Sequence, residues 1–225
     1  MKYLAGLFGL CLIGFNAPAQ APVPVSRELF HHLKVENSVV KIFDVRVPPW
    51  KTTMFHIHPE DYVFVTFGDS TLKSQVFGQK EEDLNLKRGE VRFKAGPITH
   101  RVRNRGGKPF HNLTIELLRP HPAGGPLNTS EPPLGQHQGL VLENERIRVT
   151  RTVLRPGEST KLHSHRQPHV AAVIRGGTLL DRMEGIGMEG RNLRAGSFMW
   201  REGAVTHSIS NTGRTVIELV EIEIK

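Results

Sequence analysis

Hydrophobic and polar positions along the chain alternate mostly with a period of two, the pattern of half-buried β-strands. Turn signals such as Gly106-Gly107 and Gly176-Gly177 separate the runs. Helical periodicity is weak everywhere beyond a single turn near residues 27–33. The alternation predicts strands over residues 39–47, 62–67, 91–93, 113–117, 147–154, 170–174 and 217–224.

Conspicuous polar positions in this pattern recur at one constant offset. His56, His58 and His100 reappear as His163, His165 and His207, and 163 − 56 and 207 − 100 both give 107. The same offset relates Gly89 to Gly196, Asn104 to Asn211, and Ile115-Glu116 to Ile222-Glu223. The chain therefore contains one module written twice.

The repeat divides the chain into two all-β domains. Residues 119–139 are rich in proline and glycine, which predicts a linker. We expect the first domain at 28–118, after an extended lead-in, and the second at 140–225. Modules of this size and strand content fit sandwiches or jelly rolls. Two such similar modules can pack face to face as the subunits of a homodimer do.

The N-terminal residues 1–19 have the pattern of a secretory signal: Lys2, then an apolar run, then the small residues Ala17 and Ala19. We therefore expect a periplasmic or secreted protein without stable membrane association once the signal is cleaved. Cys11, the only cysteine, would leave with this segment. Any metal would then be held by nitrogen or oxygen ligands.

The formal net charge of the chain is +8. This excess suits a small anionic molecule, but the basic residues are spread over both repeats. No lysine-rich block with interleaved aromatic residues is present, so we expect no nucleic-acid partner. A small-molecule substrate is the expected partner, and a homo-oligomer stays open.

The repeated histidines predict a metal site in each domain. Residues two apart on a strand project to one face, so His56 and His58 point together, and so do His163 and His165. His100 and His207 follow glycine-led turns that would bring a later strand alongside. Three imidazoles on one side of a cavity leave coordination positions open for substrate, the layout of a catalytic metal.

These motifs resemble those of the cupin superfamily. Pro156-Gly157, His163, His165, His169 and Gly176 look like the first cupin motif, and Gly196, His207 and Asn211 look like the second. The first repeat matches in the same way. The resemblance implies a tandem bicupin with two jelly-roll β-barrels, each with a central divalent metal. In such proteins the metal is usually iron or manganese, and less often nickel, copper or zinc.

The chain departs from the cupin pattern where a glutamate is expected, four residues after the second histidine. That position holds Tyr62 in the first repeat and His169 in the second. We expect Asp61 or Glu60 to take the carboxylate role as catalytic residues. His169 could be a fourth metal ligand, an acid or base, or a polar group at the barrel mouth. Histidines 31, 32, 121 and 137 fall in the lead-in or linker, where exposure to solvent is expected.

Three functions remain open from the sequence. The leading one is a metal-dependent oxidoreductase of dioxygenase type that acts on a small anionic or polyhydroxylated compound. A protein that binds or senses a metal or sugar acid without turnover is the alternative, and a structural barrel pair is the third. We expect the first site to be catalytic because of its carboxylates, and the second to hold metal more tightly.

Overall fold

The computed structural model describes residues 21–119 and 137–225. The predicted signal at 1–19 and most of the linker lie outside these residues. Helical structure in the described part is limited to one 3-10 turn, Val25–Arg27. No helix among the described residues is long and apolar enough to cross a membrane. The all-β prediction is confirmed.

Ten strands in two five-stranded sheets form the first domain. One sheet has the order β1-β4-β9-β6-β7 and the other β2-β3-β10-β5-β8. The strands are β1 Val23–Pro24, β2 His31–Glu36, β3 Val40–Val47, β4 His56–His58, β5 Tyr62–Thr66, β6 Ser70–Val76, β7 Glu82–Leu86, β8 Val91–Lys94, β9 Ile98–Asn104 and β10 Phe110–Leu117.

The second domain repeats this arrangement with nine strands. Its sheets have the orders β13-β18-β15-β16 and β11-β12-β19-β14-β17. The strands are β11 Gln138–Glu143, β12 Ile147–Leu154, β13 His163–His165, β14 His169–Arg175, β15 Gly177–Met183, β16 Gly187–Leu193, β17 Phe198–Arg201, β18 Val205–Asn211 and β19 Ile217–Ile224.

One strand, β1, has no counterpart among the described residues of the second domain. It pairs in parallel with the strand that carries the first His-x-His motif, with Val23 opposite His56. The short turn that follows leads directly into β2. The N-terminal segment is therefore built into the first barrel beside its histidines, although the sequence predicted only a lead-in there.

The two domains pack through one face of each barrel. The sheet that contains β3, β5 and β10 faces the sheet that contains β12, β14 and β19, and their apolar residues form one continuous cluster. Removal of this surface from water stabilises the pair by the hydrophobic effect. The cluster includes Val40, Ile42, Val63, Val65, Leu113, Ile115, Ile147, Val149, Val170, Ala172, Val220 and Ile222.

Asn104 and Asn211 fix the turns that end β9 and β18. The Asn104 side-chain amide donates to the Lys108 carbonyl at 2.8 Å, and its oxygen accepts from the Gly106 amide at 2.9 Å. Asn211 makes the equivalent contacts with Thr215 and Gly213. Both residues satisfy backbone groups, a frequent role of asparagine side chains at turns.

Candidate metal centres

Strand pairing brings the three repeated histidines of each domain together. β4 runs antiparallel to β9 with His56 opposite His100, and β13 runs antiparallel to β18 with His163 opposite His207. Side chains of directly opposed residues lie on the same face of a sheet. The third histidine, more than forty residues later in the sequence, therefore lies beside the His-x-His pair.

The second centre consists of three imidazoles and one carboxylate. One ligating atom each from His163, His165, His207 and Glu221 lie within 4.8 Å of one another. Glu221 is 2% exposed. Its Oε1 lies 3.6 Å from Nε2 of His165, a separation that two donors about 2.0–2.2 Å from a common ion can adopt. Its Oε2 accepts a hydrogen bond from Thr152 at 2.9 Å.

Hydrogen bonds on the opposite ring nitrogen orient all three imidazoles of the second centre. The Nδ1 atoms of His165 and His207 donate to Glu223 at 2.5 Å and to Asp181 at 2.8 Å. His163 donates to the Lys161 carbonyl at 2.9 Å. These contacts fix the tautomer that leaves Nε2 with its lone pair, as in metal-ligating histidines.

Carboxylates and imidazoles of the second centre shift each other's pKa. Burial alone would raise the pKa of Glu221, but the charges of the surrounding histidines, His165 foremost, lower it. Burial likewise opposes the protonated form of His165, but the hydrogen bond that its ring donates to Glu223 and the charge of Glu221 raise its pKa. The centre therefore places an anion where a cation would bind.

His169 lies beside this centre rather than in it. Its ring stacks on that of His165 with 4.3 Å between centroids, and its Nδ1 donates to the Gln167 carbonyl at 3.3 Å. It is not in the group of converging ligand atoms. Burial lowers the pKa of His169 to about 4. Tyr62 occupies the same place in the first domain and stacks on His58 at 4.2 Å.

The first centre is made of imidazoles alone. Ligating atoms of His31, His56 and His58 lie within 4.8 Å of one another. The ring of His100 packs beside this group, with its centroid 4.5 Å from that of His56 and 5.3 Å from that of His58. Where the second centre has Glu221, the first has Thr114, because 221 − 114 gives the repeat offset of 107.

The imidazoles of the first centre are also oriented through Nδ1. His58 donates to Glu116 and His56 to the Met54 carbonyl, both at 2.9 Å. His31 contacts Glu28 at 2.6 Å. Burial is the main cause that lowers the pKa of His31 and of His56. Burial, together with the charges of neighbouring histidines and Lys94, lowers the pKa of His100 to about 3. The rings of His31, His56 and His100 are therefore neutral at physiological pH.

The expectation that His31 is solvated is wrong. Its side chain is only 6% exposed, and its ring lies 4.5 Å from that of His56. His32, the next residue, is exposed, as expected. Alternation along β2 explains the difference, since successive side chains of a strand point to opposite faces. Sequence reasoning missed this because the residue precedes the first recognisable motif.

The predicted catalytic carboxylates do not line the first cavity. Asp61 accepts a hydrogen bond from the Gly96 amide at 2.9 Å and lies 3.4 Å from the guanidinium of Arg146 in the other domain. Glu60 is exposed. The carboxylates that contact the first centre are Glu116, at Nδ1 of His58, and Glu28, at Nδ1 of His31. Asp61 thus joins the two domains rather than facing the histidines.

A cavity of about 240 Å³ opens next to the first centre. Histidine rings form one wall, and apolar side chains form most of the remainder. Charged residues line it as well: Glu82, Asp83, Arg92 and Lys94. Asp83 pairs with Lys73 and Arg92 with Glu90, so two of these four charges already have partners.

A divalent metal fits both centres. Nε2 atoms of His56, His100, His163, His165 and His207 are buried and lack a hydrogen-bond partner among the described residues. Such atoms are costly in a folded protein unless something binds their lone pairs. Nitrogen and carboxylate donors suit iron, manganese, nickel, copper and zinc, so the predicted cofactor class agrees with the residues present.

The chain is similar in fold to several solved structures. No family model and no curated protein matches the chain. Among solved structures, AerE from Microcystis aeruginosa superposes with a TM-score of 0.60 at 14% identity, over 91% of this chain and 98% of its own. A cupin 2 conserved barrel domain protein from Leptotrichia buccalis gives 0.56 at 9% identity, over 89% and 90%.

A third solved structure is a salicylate 1,2-dioxygenase mutant from Pseudoaminobacter salicylatoxidans in complex with gentisate. It superposes with a TM-score of 0.57 at 14% identity, over 83% of this chain and 69% of its own. The chain has the bicupin fold. At these identities the similarity concerns the fold alone.

Several residues around the centres of this bicupin escaped the sequence analysis. Glu116 and Glu223 were noted as a repeated pair but given no role, and Asp181 and Glu221 were not singled out. A signal did exist, because β19 carries three glutamates in an otherwise apolar strand. Acidic residues in a fully buried strand are rarely there without a cationic partner.

Proposed function

We propose that this chain is an exported, metal-dependent bicupin oxidoreductase of dioxygenase type that acts on a small anionic compound in the cavity of the first domain. The exchange of Glu221 for Thr114 carries the proposal. In the second domain a protein carboxylate meets the histidines. In the first domain Thr114 lines the cavity instead, and the position is open to a ligand.

Charge explains why the ligand should be an anion. An imidazole that ligates a metal through its lone pair brings no negative charge, so the imidazoles of the first centre leave the full charge of a divalent ion uncompensated within a largely apolar wall. Charges in such surroundings are costly unless an opposite charge is near. A substrate carboxylate would supply the negative charge that Glu221 supplies in the second domain. Lys94, close enough to affect the pKa of His100, adds positive charge at the same wall.

The cavity favours a compact substrate, and its walls would hold that substrate against the centre. About 240 Å³ is small for a ligand site, below the usual range of roughly 300–1,000 Å³. Phe64, Leu72 and Phe110 form apolar surface that suits a ring and excludes water. When bound, the metal would act as a Lewis acid and, if redox-active, as the centre for oxidation. The gentisate complex of the salicylate dioxygenase makes aromatic hydroxy acids the first compounds to test.

The test measures oxygen uptake by protein loaded with Fe²⁺, Mn²⁺ or Cu²⁺. Gentisate and salicylate are compared with gentisyl alcohol, which keeps the ring but lacks the carboxylate, and gluconate represents polyhydroxylated acids. We expect uptake with an acid and at least about tenfold weaker use of the alcohol, since each 1.4 kcal/mol is tenfold. Thr114→Glu should abolish use of the acid while both metals stay bound.

His32→Gln is the matched control, because His32 is exposed on the opposite face of the strand that carries His31. It should leave metal content and oxygen uptake unchanged. Binding of an acid without uptake under any metal would instead favour the non-catalytic binding or sensing function. Failure of every acid to bind the metal-loaded protein would overturn the proposal.

Export is part of the proposal and has its own test. The signal pattern at 1–19 predicts a mature chain that begins near Gln20. N-terminal sequencing of the protein from its native host should read this residue. A chain that begins at Met1 would contradict export by cleavage, without bearing on the chemistry.

A further inference from the structure

We propose that His31 is a metal ligand of the first centre and that, as a result, the two centres of one chain differ in metal preference. The first would favour a nitrogen-preferring ion such as Cu²⁺, Ni²⁺ or Zn²⁺, and the second would accept Mn²⁺ more readily. This inference rests on the metal binding in the proposed function, but not on turnover.

His31 has the features of the other candidate ligands. Its side chain is only 6% exposed, its Nδ1 contacts the carboxylate of Glu28 at 2.6 Å, and one of its ring nitrogens lies within 4.8 Å of ligating atoms of His56 and His58. Carboxylate contact on the outer nitrogen is the usual companion of a metal-bound histidine.

Glu28 is itself held in place at some cost. Its side chain is fully buried, and its oxygens accept from the backbone amides of Phe30 at 2.8 Å and Met54 at 3.3 Å. Burial of a carboxylate is unfavourable unless such contacts compensate for lost water. The second of these contacts ties the N-terminal segment to the approach of β4, so His31 and the His-x-His pair share one rigid frame.

The 107-residue repeat shows that the two domains place an acid-oriented histidine at different positions. Asp181 orients His207, whereas the residue 107 positions earlier, Ser74, has no carboxylate to orient His100. At the position of His31 the second domain has Gln138. An acid therefore orients His207 on β18 in the second domain, but in the first domain it orients His31 on β2 instead of His100 on β9. The carboxylate ligand exists only in the second domain.

This exchange alters the donor set of each centre. Four imidazoles offer nitrogen alone, which suits zinc, copper, nickel and iron, while carboxylate oxygen suits the harder Mn²⁺. Glu221 also offsets part of the charge of the bound ion. Relative to Zn²⁺, we expect Mn²⁺ to bind at least about tenfold less well at the first centre than at the second, a difference of roughly 1.4 kcal/mol.

The first experiment measures Cu²⁺ affinity by chelator competition, together with the EPR spectrum, in protein whose second centre is disabled by His163→Gln and His165→Gln. In that background His31→Gln, which installs the residue found at 138, should weaken binding at least about tenfold and change the nitrogen hyperfine pattern. His32→Gln should do neither. Unchanged affinity and spectrum in His31→Gln would overturn the ligand assignment.

Glu28→Gln in the otherwise unaltered chain gives a second measurement if the disabled background does not fold. It should weaken the binding of one of the two Cu²⁺ ions by roughly 10- to 100-fold and leave the binding of the other unchanged. Equal weakening of both ions, or of neither, would contradict the role of His31.

Metal preference is tested by the ratio of the Mn²⁺ and Zn²⁺ dissociation constants at each centre. Glu221→Thr with Gln138→His should give the second centre the ratio of the first, and Thr114→Glu with His31→Gln should do the reverse. Equal ratios at the two wild-type centres would overturn the difference in preference. Absence of any metal binding would instead refute the proposed function as well, and metal binding without turnover would leave this inference intact.

Discussion

The two domains of this chain share an arrangement of histidines but differ in what surrounds it. The second centre combines three imidazoles with Glu221, and Asp181 links His207 to Arg201 at 2.6 Å. In the first domain Lys94 stands at the place of Arg201 without an ion pair among the described residues, and a cavity adjoins the histidines. The second centre therefore contains a carboxylate of its own, whereas the first has Thr114 and a cavity at the equivalent place.

This difference reverses the charge distribution expected from the sequence. Neighbours in the chain suggested carboxylates at the first site and an extra imidazole at the second. The folded chain has the opposite arrangement: His31 on β2 adds an imidazole to the first site, and Glu221 on β19 adds a carboxylate to the second. The sequence suggested tighter metal binding at the second site because of a fourth imidazole, His169. In the structure the residue that would tighten binding there is the carboxylate of Glu221. The expectation that the first site is catalytic now depends on its cavity instead of Asp61 and Glu60.

The largest expected effect tests whether the centres are independent. His56→Gln should remove about one metal equivalent and His163→Gln the other, because each barrel supplies its own ligands. Metal content of the purified variants, measured by elemental analysis, checks the prediction. Circular dichroism must show that both variants are folded. Loss of both ions from a folded single variant would mean that the centres are coupled.

The comparison also shows how far the sequence could be interpreted. Strand positions, the duplication and the six repeated histidines follow from periodicity and spacing, because a strand places alternate residues on one face. His31 and Glu221 could not be assigned in this way. Each reaches its centre through sheet pairing between distant strands, and each breaks the repeat. A search by repeated positions selects what the domains share and misses what distinguishes them.

A second prediction tests whether Asp61 contributes to stability or to catalysis. The Asp61–Arg146 pair is buried, with side chains about one-tenth exposed or less, and joins the two domains. Asp61→Asn would leave the Arg146 charge without its partner, which costs about 3–5 kcal/mol in buried pairs. We expect the free energy of unfolding to fall by about 3 kcal/mol, with metal content unchanged.

Chemical denaturation of Asp61→Asn and of Glu60→Gln checks this prediction. Glu60 is exposed, so its variant should differ from the wild type by less than about 0.5 kcal/mol. Loss of turnover with full stability in Asp61→Asn would restore the catalytic role that the sequence suggested.

A third prediction concerns the different residues, Tyr62 and His169, that stack on equivalent histidines. In the unfolded chain His169 takes up a proton near pH 6.5, but in the folded metal-free protein only near pH 4. The unfolded state binds more protons between these values, so stability falls as the pH drops from 6.5 to 4. The loss attributable to this group is about 3 kcal/mol at most.

His169→Tyr installs the residue of the first domain and should remove this contribution. Thermal unfolding of the metal-free variant should therefore depend less on pH between 6.5 and 4 than that of the wild type. Tyr62→His is the reciprocal variant and should make the dependence steeper. An identical pH dependence in wild type and His169→Tyr would show that other buried histidines control the transition.

The smallest effect concerns the acid that orients the third histidine. Asp181 accepts from Nδ1 of His207, and Ser74 stands at the same position beside His100. Loss of such a contact typically weakens metal binding by roughly 10- to 100-fold. Asp181→Ser should therefore weaken Zn²⁺ binding at the second centre by about tenfold. Ser74→Asp should strengthen it at the first by less, because His31 already supplies an acid-oriented ring there. Chelator competition on each variant gives both numbers. A larger gain from Ser74→Asp than the loss from Asp181→Ser would mean that His100, not His31, limits metal binding in the first domain.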